Sequence, residues 1–149
     1  IVNGYFNNAE ATAKACDKDG WFGTGDVAKI SPNGYLTIVD RTKDMVKSGG
    51  EWISSIDVEN SVMSFPGVAN AAVIGVPHPK WTERPLLVVV KAPGAEVSKE
   101  AILAHVAKNL ATWQVPDDVI FADALPMTAT GKVSKRELRA TYGSHTLPE

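Results

Sequence analysis

The sequence predicts an α+β fold in which a small, mixed three-stranded sheet is covered by helices and preceded by a short β-hairpin. Two nearly continuous apolar runs, residues 68–76 and 86–90, are typical of strands buried on both faces. Two segments with apolar residues at helical spacing each follow a serine, a residue type that caps helix N-termini. A strand, turn and strand pattern at residues 27–39 predicts the hairpin.

The composition is typical of a globular domain and gives no reason to expect nucleic acid or a membrane as a partner. The chain has 149 residues, of which 44% are hydrophobic and 21% charged, and its net charge is -2. No apolar run approaches the roughly 18 residues that a membrane span needs. Cys16 is the only cysteine, which excludes an intramolecular disulfide and a cysteine zinc site, and we predict no metal site. Because the chain starts at Ile1 rather than at methionine, we expect it to be the end of a longer protein.

The N-terminal part predicts a short helix and then a glycine-rich loop. Asn7 and Asn8 can cap a helix over Ala9–Ala15. The segment GWFGTGD, which ends at Asp26, has three glycines in seven residues and so allows a tight backbone path. Asp26 either caps a turn before the next strand or accepts hydrogen bonds from the two hydroxyls of a ribose.

A charged segment, DRTKD at residues 40–44, follows the second strand of the hairpin. Four charges in five residues are costly to bury unless they are paired. The segment is therefore either a solvated tip or a hinge whose arginine contacts a ligand. Farther on, residues 45–47 predict a short strand that residues 48–50 interrupt. Gly49 and Gly50 form either a tight turn or a surface for close backbone approach to a ligand. Lys43 and Lys47 lie nearby and are either solvated or available to phosphates.

The remaining elements follow from caps and apolar spacing. Ser54 begins a helix that Pro66 and Gly67 end, Ser98 caps a helix through Leu110, and residues 119–121 predict a third strand. A helix over residues 134–142 follows, and the last six residues are expected to fray. We expect Glu59 to be a charge in the first turn of its helix, Trp113 to anchor the core, and three basic residues of the last helix to face outward: Lys135, Arg136 and Arg139.

Lys132 lies in the loop before this last helix, directly after a glycine. An ammonium group there can pair with a carboxylate oxygen and a phosphate oxygen, which eases their repulsion when a carboxylate attacks the α-phosphate of ATP. The residues alone equally allow an exposed lysine with no ligand.

Three motifs, in this order, resemble those of the AMP-forming acyl- and aryl-CoA synthetases of the adenylate-forming superfamily: GWFGTGD, GYLTIVDRTKDMVKSGGEWIS and PMTATGK. The resemblance covers about residues 3–143 and is greatest to the bacterial medium- and long-chain fatty acyl-CoA ligases. It implies that residues 1–40 are the end of the large N-terminal adenylation domain with the hinge, and that residues 41–149 are the C-terminal lid domain.

The resemblance also implies roles for seven residues. These are Lys132 as the catalytic residue, Asp26 and Arg41 for nucleotide binding, Asp40 as the hinge, and Gly49, Gly50 and Lys47 for CoA binding. The implied reaction converts a fatty acid and ATP to an acyl-adenylate, from which CoA displaces AMP. Mg²⁺ is implied as a cofactor, with its ligands in the N-terminal domain.

The implied partners are these small molecules and the protein's own N-terminal domain, in a cytoplasmic enzyme, and the resemblance allows a homodimer. We expect the isolated chain to be inactive. Two alternatives stay open: an adenylation domain that passes the acyl group to a carrier protein, and a free-standing, lid-like binding module.

Overall fold

The computed structural model describes residues 4–148 and confirms the predicted α+β fold. The chain divides into two compact units, the first ending at Lys43 and the second beginning at Asp44. The roles assigned above to residues 1–40 and 41–149 stay predictions. In chain order, the helices and strands of the described residues are α1 (Ala9–Ala15), β1 (Asp26–Ile30), β2 (Leu36–Arg41), β3 (Val46–Ser48), β4 (Glu51–Ile53), α2 (Ser55–Met63), β5 (Val68–His78), β6 (Thr82–Lys91), α3 (Lys99–Asn109), β7 (Asp118–Phe121) and α4 (Lys135–Tyr142).

The first unit consists of α1 and a two-stranded antiparallel hairpin of β1 and β2. The Asn8 side chain accepts a hydrogen bond from the backbone N–H of Ala11 at 2.9 Å, which confirms the predicted cap. A β-bulge interrupts the hairpin, because Val27 pairs with Asp40 whereas Ala28 pairs with Ile38. Val39 is thus the extra residue of β2.

The second unit contains a five-stranded sheet, in which β6 pairs with β5 antiparallel and with β7 in parallel. These are the three strands that the sequence predicts, so the predicted mixed sheet is present. The hairpin of β3 and β4 adds two short strands at the start of β6, where Ser48 pairs with Thr82. β5 continues through Pro77, because this proline lies on an edge strand where its missing N–H costs no ladder hydrogen bond.

Alternate residues of β5 and β6 are buried on opposite faces of the sheet, as expected for strands without a polar face. On one face, α2 and α3 pack against residues such as Val73 and Leu87. On the other face, Leu138 of α4 packs against residues such as Ile74 and Leu86. Each fully buried side chain of this kind contributes about 1.5–3 kcal/mol of transfer free energy.

The serine caps hold as predicted. Ser54 Oγ accepts a hydrogen bond from the Asp57 N–H at 3.1 Å, and Ser98 Oγ accepts one from the Ala101 N–H at 3.2 Å. These bonds satisfy donors that α2 and α3 would otherwise leave unpaired in their first turns.

Three predictions about charged side chains were wrong. Glu59 is not in the first turn of α2, where the acidic residue is Asp57, and its carboxylate is largely buried in a pair with Lys135. Lys135 is not on a solvated face, because its Nζ lies 2.7 Å from Glu59 Oε1 and both side chains are largely buried. Arg139 likewise pairs with Asp44, at 2.7 Å. Helical spacing cannot reveal such pairs, since their acidic partners come from distant parts of the sequence.

Two further expectations were wrong at the C-terminal end. Trp113 is 42% exposed and is no core anchor, because it lies in a short 3-10 turn, Thr112–Gln114, at the surface. The tail is not frayed at His145 and Leu147: His145 Nε2 lies 2.8 Å from Asp118 Oδ2, and Leu147 packs against the apolar cluster beneath α4. Within the described part of the chain, every helix is too short or too polar to cross a bilayer.

Candidate functional site

Asp26 and Arg41 are neighbours in the structure although fifteen positions separate them in the sequence. They are cross-strand partners in the hairpin, and Asp26 Oδ1 lies 3.4 Å from Arg41 Nε. The Asp26 N–H donates to Thr24 Oγ1, which fixes the start of β1. Both side chains keep solvent access, with 31% of the Asp26 and 53% of the Arg41 side chain exposed. The pair therefore presents a carboxylate and a guanidinium side by side to solvent.

The bulge determines which side chains accompany this pair. Cross-strand partners lie on the same face of a hairpin, and residues two apart on a regular strand also share a face. Ile30, Leu36 and Ile38 therefore lie on the face of Asp26 and Arg41, and all three are more than half exposed. The ion pair lies at the end of an exposed apolar face.

Asp40 differs from its neighbour Arg41 in being buried, with only 1% of its surface exposed. Its Oδ1 accepts a hydrogen bond from the Arg41 N–H at 2.7 Å. The residue lies three positions before the end of the first unit at Lys43. The predicted hinge is therefore close in sequence to the division between the units.

Gly49 and Gly50 form the two-residue turn of the β3–β4 hairpin, between the paired residues Ser48 and Glu51. Both glycines have positive φ angles, +59° and +99°, as the favoured two-residue hairpin turns require. A Cβ atom on Gly49 would lie 2.6 Å from a ring carbon of Trp81, so only glycine fits beneath this indole. A Cβ atom on Gly50 would meet nothing within 4 Å, so the backbone of Gly50 is open to its surroundings.

Exposed indole rings and lysines surround the glycine turn. Lys47 Nζ lies 5.7 Å from the ring centre of Trp52, and Lys80 Nζ lies 4.4 Å from that of Trp81. Trp52 is 50% and Trp81 40% exposed. The structure thus brings the predicted residues Lys47, Gly49 and Gly50 together and adds two aromatic faces that the sequence-based prediction missed.

Lys132 follows a compact hairpin turn rather than an irregular loop. The Thr128 N–H donates to the Lys132 carbonyl at 2.7 Å, and the Gly131 N–H donates to the Thr128 carbonyl at 2.9 Å. Gly131 has a φ of +75°, as usual for the residue that closes a three-residue hairpin loop. Met127 and Val133 form a bridge below the turn. The Lys132 side chain is exposed on this turn.

Arg84 and Asp117 form a half-buried pair that sequence reasoning did not single out. Arg84 Nε lies 2.9 Å from both carboxylate oxygens of Asp117, and 11% of the Arg84 side chain is exposed. An arginine at a strand end carries no distinctive sequence signal when its acidic partner is more than thirty positions away. His78 has a structural role, because its Nδ1 accepts hydrogen bonds from the N–H groups of Lys80 and Trp81.

Asp118 has a perturbed acidity. Partial burial by itself raises the pKa of its carboxyl, but hydrogen bonds from Lys99, His145 and the Val119 N–H outweigh this effect, so the pKa lies below its usual value. The Asp118 carboxylate thereby joins α3, β7 and the C-terminal tail. This arrangement is structural, and none of its residues belongs to the predicted site.

This chain is similar to known proteins in both sequence and fold. Residues 57–132, about half of the chain, match the model of the family described as "AMP-binding enzyme C-terminal domain". A 3-methylmercaptopropionyl-CoA ligase from Ruegeria lacuscaerulensis is 62% identical over 84% of this chain and 23% of its own length. A long-chain-fatty-acid–CoA ligase from Thermus thermophilus is 49% identical over 97% of this chain and 27% of its own length.

A solved structure gives the same result for the fold. The crystal structure of ATP-bound MatB from Rhodopseudomonas palustris matches 95% of this chain and 28% of that chain, with a TM-score of 0.86 and 39% identity. The present chain thus spans about a quarter of the length of the proteins it matches. The resemblance inferred from the motifs is confirmed, and the chain belongs to the AMP-binding enzyme C-terminal domain family.

Proposed function

We propose that this chain is the C-terminal part of an AMP-forming carboxylic acid–CoA ligase. Such an enzyme joins a carboxylate to ATP, releases pyrophosphate, and then transfers the acyl group of the adenylate to the thiol of CoA. The observation that carries this proposal is the similarity along nearly the whole chain to proteins named as CoA ligases, at 49% and 62% identity.

The pair of Asp26 and Arg41 supports a nucleotide-binding role. A carboxylate can accept both hydroxyl hydrogens of a ribose, and a guanidinium can donate to phosphate or ribose oxygens. At 3.4 Å the two groups are close enough to contact one nucleotide together. The geometry supports these roles for Asp26 and Arg41 in an ATP or AMP site.

Lys132 is the proposed catalytic residue of adenylate formation. When the carboxylate oxygen attacks the α-phosphorus, two negatively charged groups approach each other and charge builds up on the phosphoryl oxygens. An ammonium that contacts both groups lowers this repulsion without transferring a proton. The short turn closed by Gly131 supports this role, because it presents Lys132 at the surface on a defined backbone.

The glycine turn is the proposed surface for CoA. Gly50 offers a backbone without a side chain to the narrow pantetheine arm, and Gly49 lies against the Trp81 ring. Lys47 can contact a phosphate group as a point charge. We propose that residues 41–149 rotate about Asp40 between the first step of the reaction and the second.

Residues 1–40 are the proposed end of the N-terminal adenylation domain, and the rest of that domain is their proposed packing partner. The exposed apolar face of Ile30, Leu36 and Ile38 supports this, because contiguous exposed apolar surface usually marks an interface. Mg²⁺ would accompany ATP and neutralise phosphate charge, and we propose that its ligands lie in the N-terminal adenylation domain. Residues 4–148 contain no group of three His, Cys, Asp or Glu side chains that could hold a metal ion.

The acid is proposed to be an aliphatic carboxylate of short to long chain length. The two relatives act, by name, on 3-methylmercaptopropionate and on long-chain fatty acids, and both names describe a carboxylate on an aliphatic chain. We further propose a cytoplasmic location, where ATP and CoA are both available.

The test is ATP- and CoA-dependent AMP release by the full-length protein that contains this chain. The panel of acids runs from acetate to palmitate and includes 3-methylmercaptopropionate, ferulate and benzoate. We expect the highest turnover with an aliphatic acid. Activity only with aromatic acids would overturn the substrate class, and adenylate formation without thioester formation would favour transfer to a carrier protein. No AMP release with any acid would favour a binding module.

A separate assay tests whether the isolated chain is inactive. Purified residues 1–149 are mixed with ATP, CoA and the best acid of the panel. We expect no thioester, because the proposed site needs residues of the N-terminal domain. Thioester formation by this chain alone would overturn that expectation.

A further inference from the structure

The glycine turn is held by Trp81 and by the first three residues of β6. The Trp81 carbonyl accepts a hydrogen bond from the Gly49 N–H at 2.8 Å, and Thr82 pairs with Ser48. The Glu83 carboxylate accepts from the Lys47 N–H at 3.1 Å. Arg84 donates from Nη1 to Ser48 Oγ at 3.0 Å. Residues 81, 82 and 83 therefore contact residues 49, 48 and 47, and Arg84 contacts residue 48 a second time.

Arg84 is itself firmly fixed on its other side. Its Nη1 also donates to the Trp113 carbonyl at 2.7 Å, its Nη2 donates to the Val115 carbonyl at 2.9 Å, and its Nε faces the Asp117 carboxylate. Hydrogen bonds from a charged donor in a half-buried setting are the stronger kind, and a planar guanidinium holds its partners in a fixed geometry. Arg84 therefore connects the glycine turn to the segment just before β7. The strand β7 itself pairs with β6.

The backbone beside this link is strained. Thr82 has a φ of +72°, a conformation that β-branched residues rarely adopt. Strain of this kind persists only where surrounding contacts over-determine the conformation, and it is concentrated at functional sites. Here the two hydrogen bonds to His78 Nδ1 and the pairing of Thr82 with both Ser48 and His78 provide those contacts.

The two glycines have no side chains to pack, so apart from the Gly49 N–H bond to Trp81 they rely on neighbouring residues for their position. Their place depends on Lys47 and Ser48 before them, and Ser48 is held by a side chain that is itself anchored in three directions. A substrate arm that lies along a bare backbone needs that backbone held to about half an ångström.

We infer that Arg84 is a positioning residue for the thioester-forming step, because it holds Ser48 and thereby fixes the Gly49–Gly50 turn along which the arm of CoA passes. This inference rests on the proposed function and goes beyond it by naming a residue that does not touch substrate. We therefore expect substitutions that break this contact to slow thioester formation and not adenylate formation.

The test separates the two half-reactions in the full-length protein. Ser48→Ala removes only the link to the turn and leaves the contacts of Arg84 with Trp113, Val115 and Asp117. Arg84→Met removes the whole network. Lys99→Met removes an ion pair with Asp118 elsewhere on the same unit and is the control. Pyrophosphate release measures adenylate formation from ATP and the best acid of the panel, and thioester formation is measured from the synthetic adenylate with CoA varied.

For Ser48→Ala we expect kcat/KM for CoA to fall about tenfold, as for the loss of one hydrogen bond to a charged group, with pyrophosphate release changed less than about twofold. Arg84→Met should show the same selectivity with a larger loss, and Lys99→Met should change neither step. Equal losses in both steps, or no loss in Ser48→Ala, would overturn the inference while leaving the proposed function intact. An unmodified protein that releases no AMP would overturn both.

Discussion

Lys135 and Glu59 join two helices that cover opposite faces of the sheet, with 2.7 Å between Nζ and Oε1. The Glu59 carboxylate also accepts a hydrogen bond from the Val73 N–H at 2.8 Å. Val73 belongs to β5, whose pairing partner within the described residues is β6, so this N–H points to the open edge of the sheet. Glu59 thus satisfies an edge donor, and Lys135 neutralises the carboxylate that does so.

Glu59→Gln is expected to destabilise the chain by about 2 kcal/mol, between the small effect of exposed pairs and the large effect of fully buried ones. The reason is that Lys135, only 13% exposed, would keep its charge without its partner. Urea unfolding measures the change. Glu10→Gln is the matched control, because it breaks a Glu–Lys pair whose side chains are 76–80% exposed, and it should cost less than about 0.5 kcal/mol. Equal effects of the two variants would contradict the role given to burial.

Lys132→Ala is expected to abolish adenylate formation in the full-length protein and to spare much of the thioester step from added acyl-adenylate. Loss of a group that stabilises transition-state charge costs about 10²–10³ in rate, and the ammonium is proposed to act in the first step only. Pyrophosphate release and thioester formation are measured separately. Lys108→Ala, at an exposed position of α3, is the control. A comparable loss in both steps would mean that Lys132 is structural.

Thr82→Gly is expected to stabilise the chain by roughly 0.5–1 kcal/mol. A residue with a side chain is destabilised by about 1–2 kcal/mol at this φ, and the greater conformational entropy of glycine in the unfolded chain cancels only part of that gain. Thermal unfolding measures the difference. Thr82→Ala removes the hydroxyl but keeps the unfavourable φ, so it should not stabilise. If the alanine and glycine variants were equally stable, strain at Thr82 would be ruled out.

Asp118 is expected to make stability depend on acidic pH. Its pKa is lower in the folded chain than its ordinary value of 3.8, so at pH values between the two the unfolded chain binds more protons. Stability from this group is therefore complete above the ordinary pKa and is lost as pH falls through the lowered one. Urea unfolding at pH 6 and pH 3 should show a smaller difference for Asp118→Asn than for the unmodified chain. An unchanged difference would exclude Asp118 as a contributor.

Much of the fold could be predicted because its signals are local. Ser54 and Ser98 cap helices through bonds to residues three positions away, and the apolar runs of β5 and β6 have the composition of doubly buried strands. The sequence predicts a short strand near β3, but it predicts neither β4 as a strand nor the attachment of this hairpin to the sheet. That attachment depends on the pairing of Ser48 with Thr82 and on hydrogen bonds to Glu83 and Arg84, which no periodicity reveals.

In the candidate site, too, the local motifs could be recognised from the sequence whereas the long-range contacts could not. The motifs identify Asp26, Arg41, Gly49, Gly50 and Lys132 as residues of interest, and their roles stay proposals. The supporting contacts could not be predicted, because Arg84 and Asp117, or Glu59 and Lys135, are far apart in sequence and lack any spacing rule. Isolated charged residues in a sequence suggest a solvated surface, and only the folded chain shows which of them are paired.

Because of the bulge at Val39, the hairpin of β1 and β2 should tolerate the loss of one residue from β2 better than the loss of one residue from β1. Removal of Val39 would give a regular ladder in which Asp26 still lies opposite the arginine, because the pairs on either side of the bulge would become consecutive. Removal of Ala28 from the other strand would instead shift Asp26 by one position along β2 and place it opposite Asp40, with two carboxylates facing each other. Among related chains, a deletion in this hairpin is therefore expected in β2 at the bulge and not in β1.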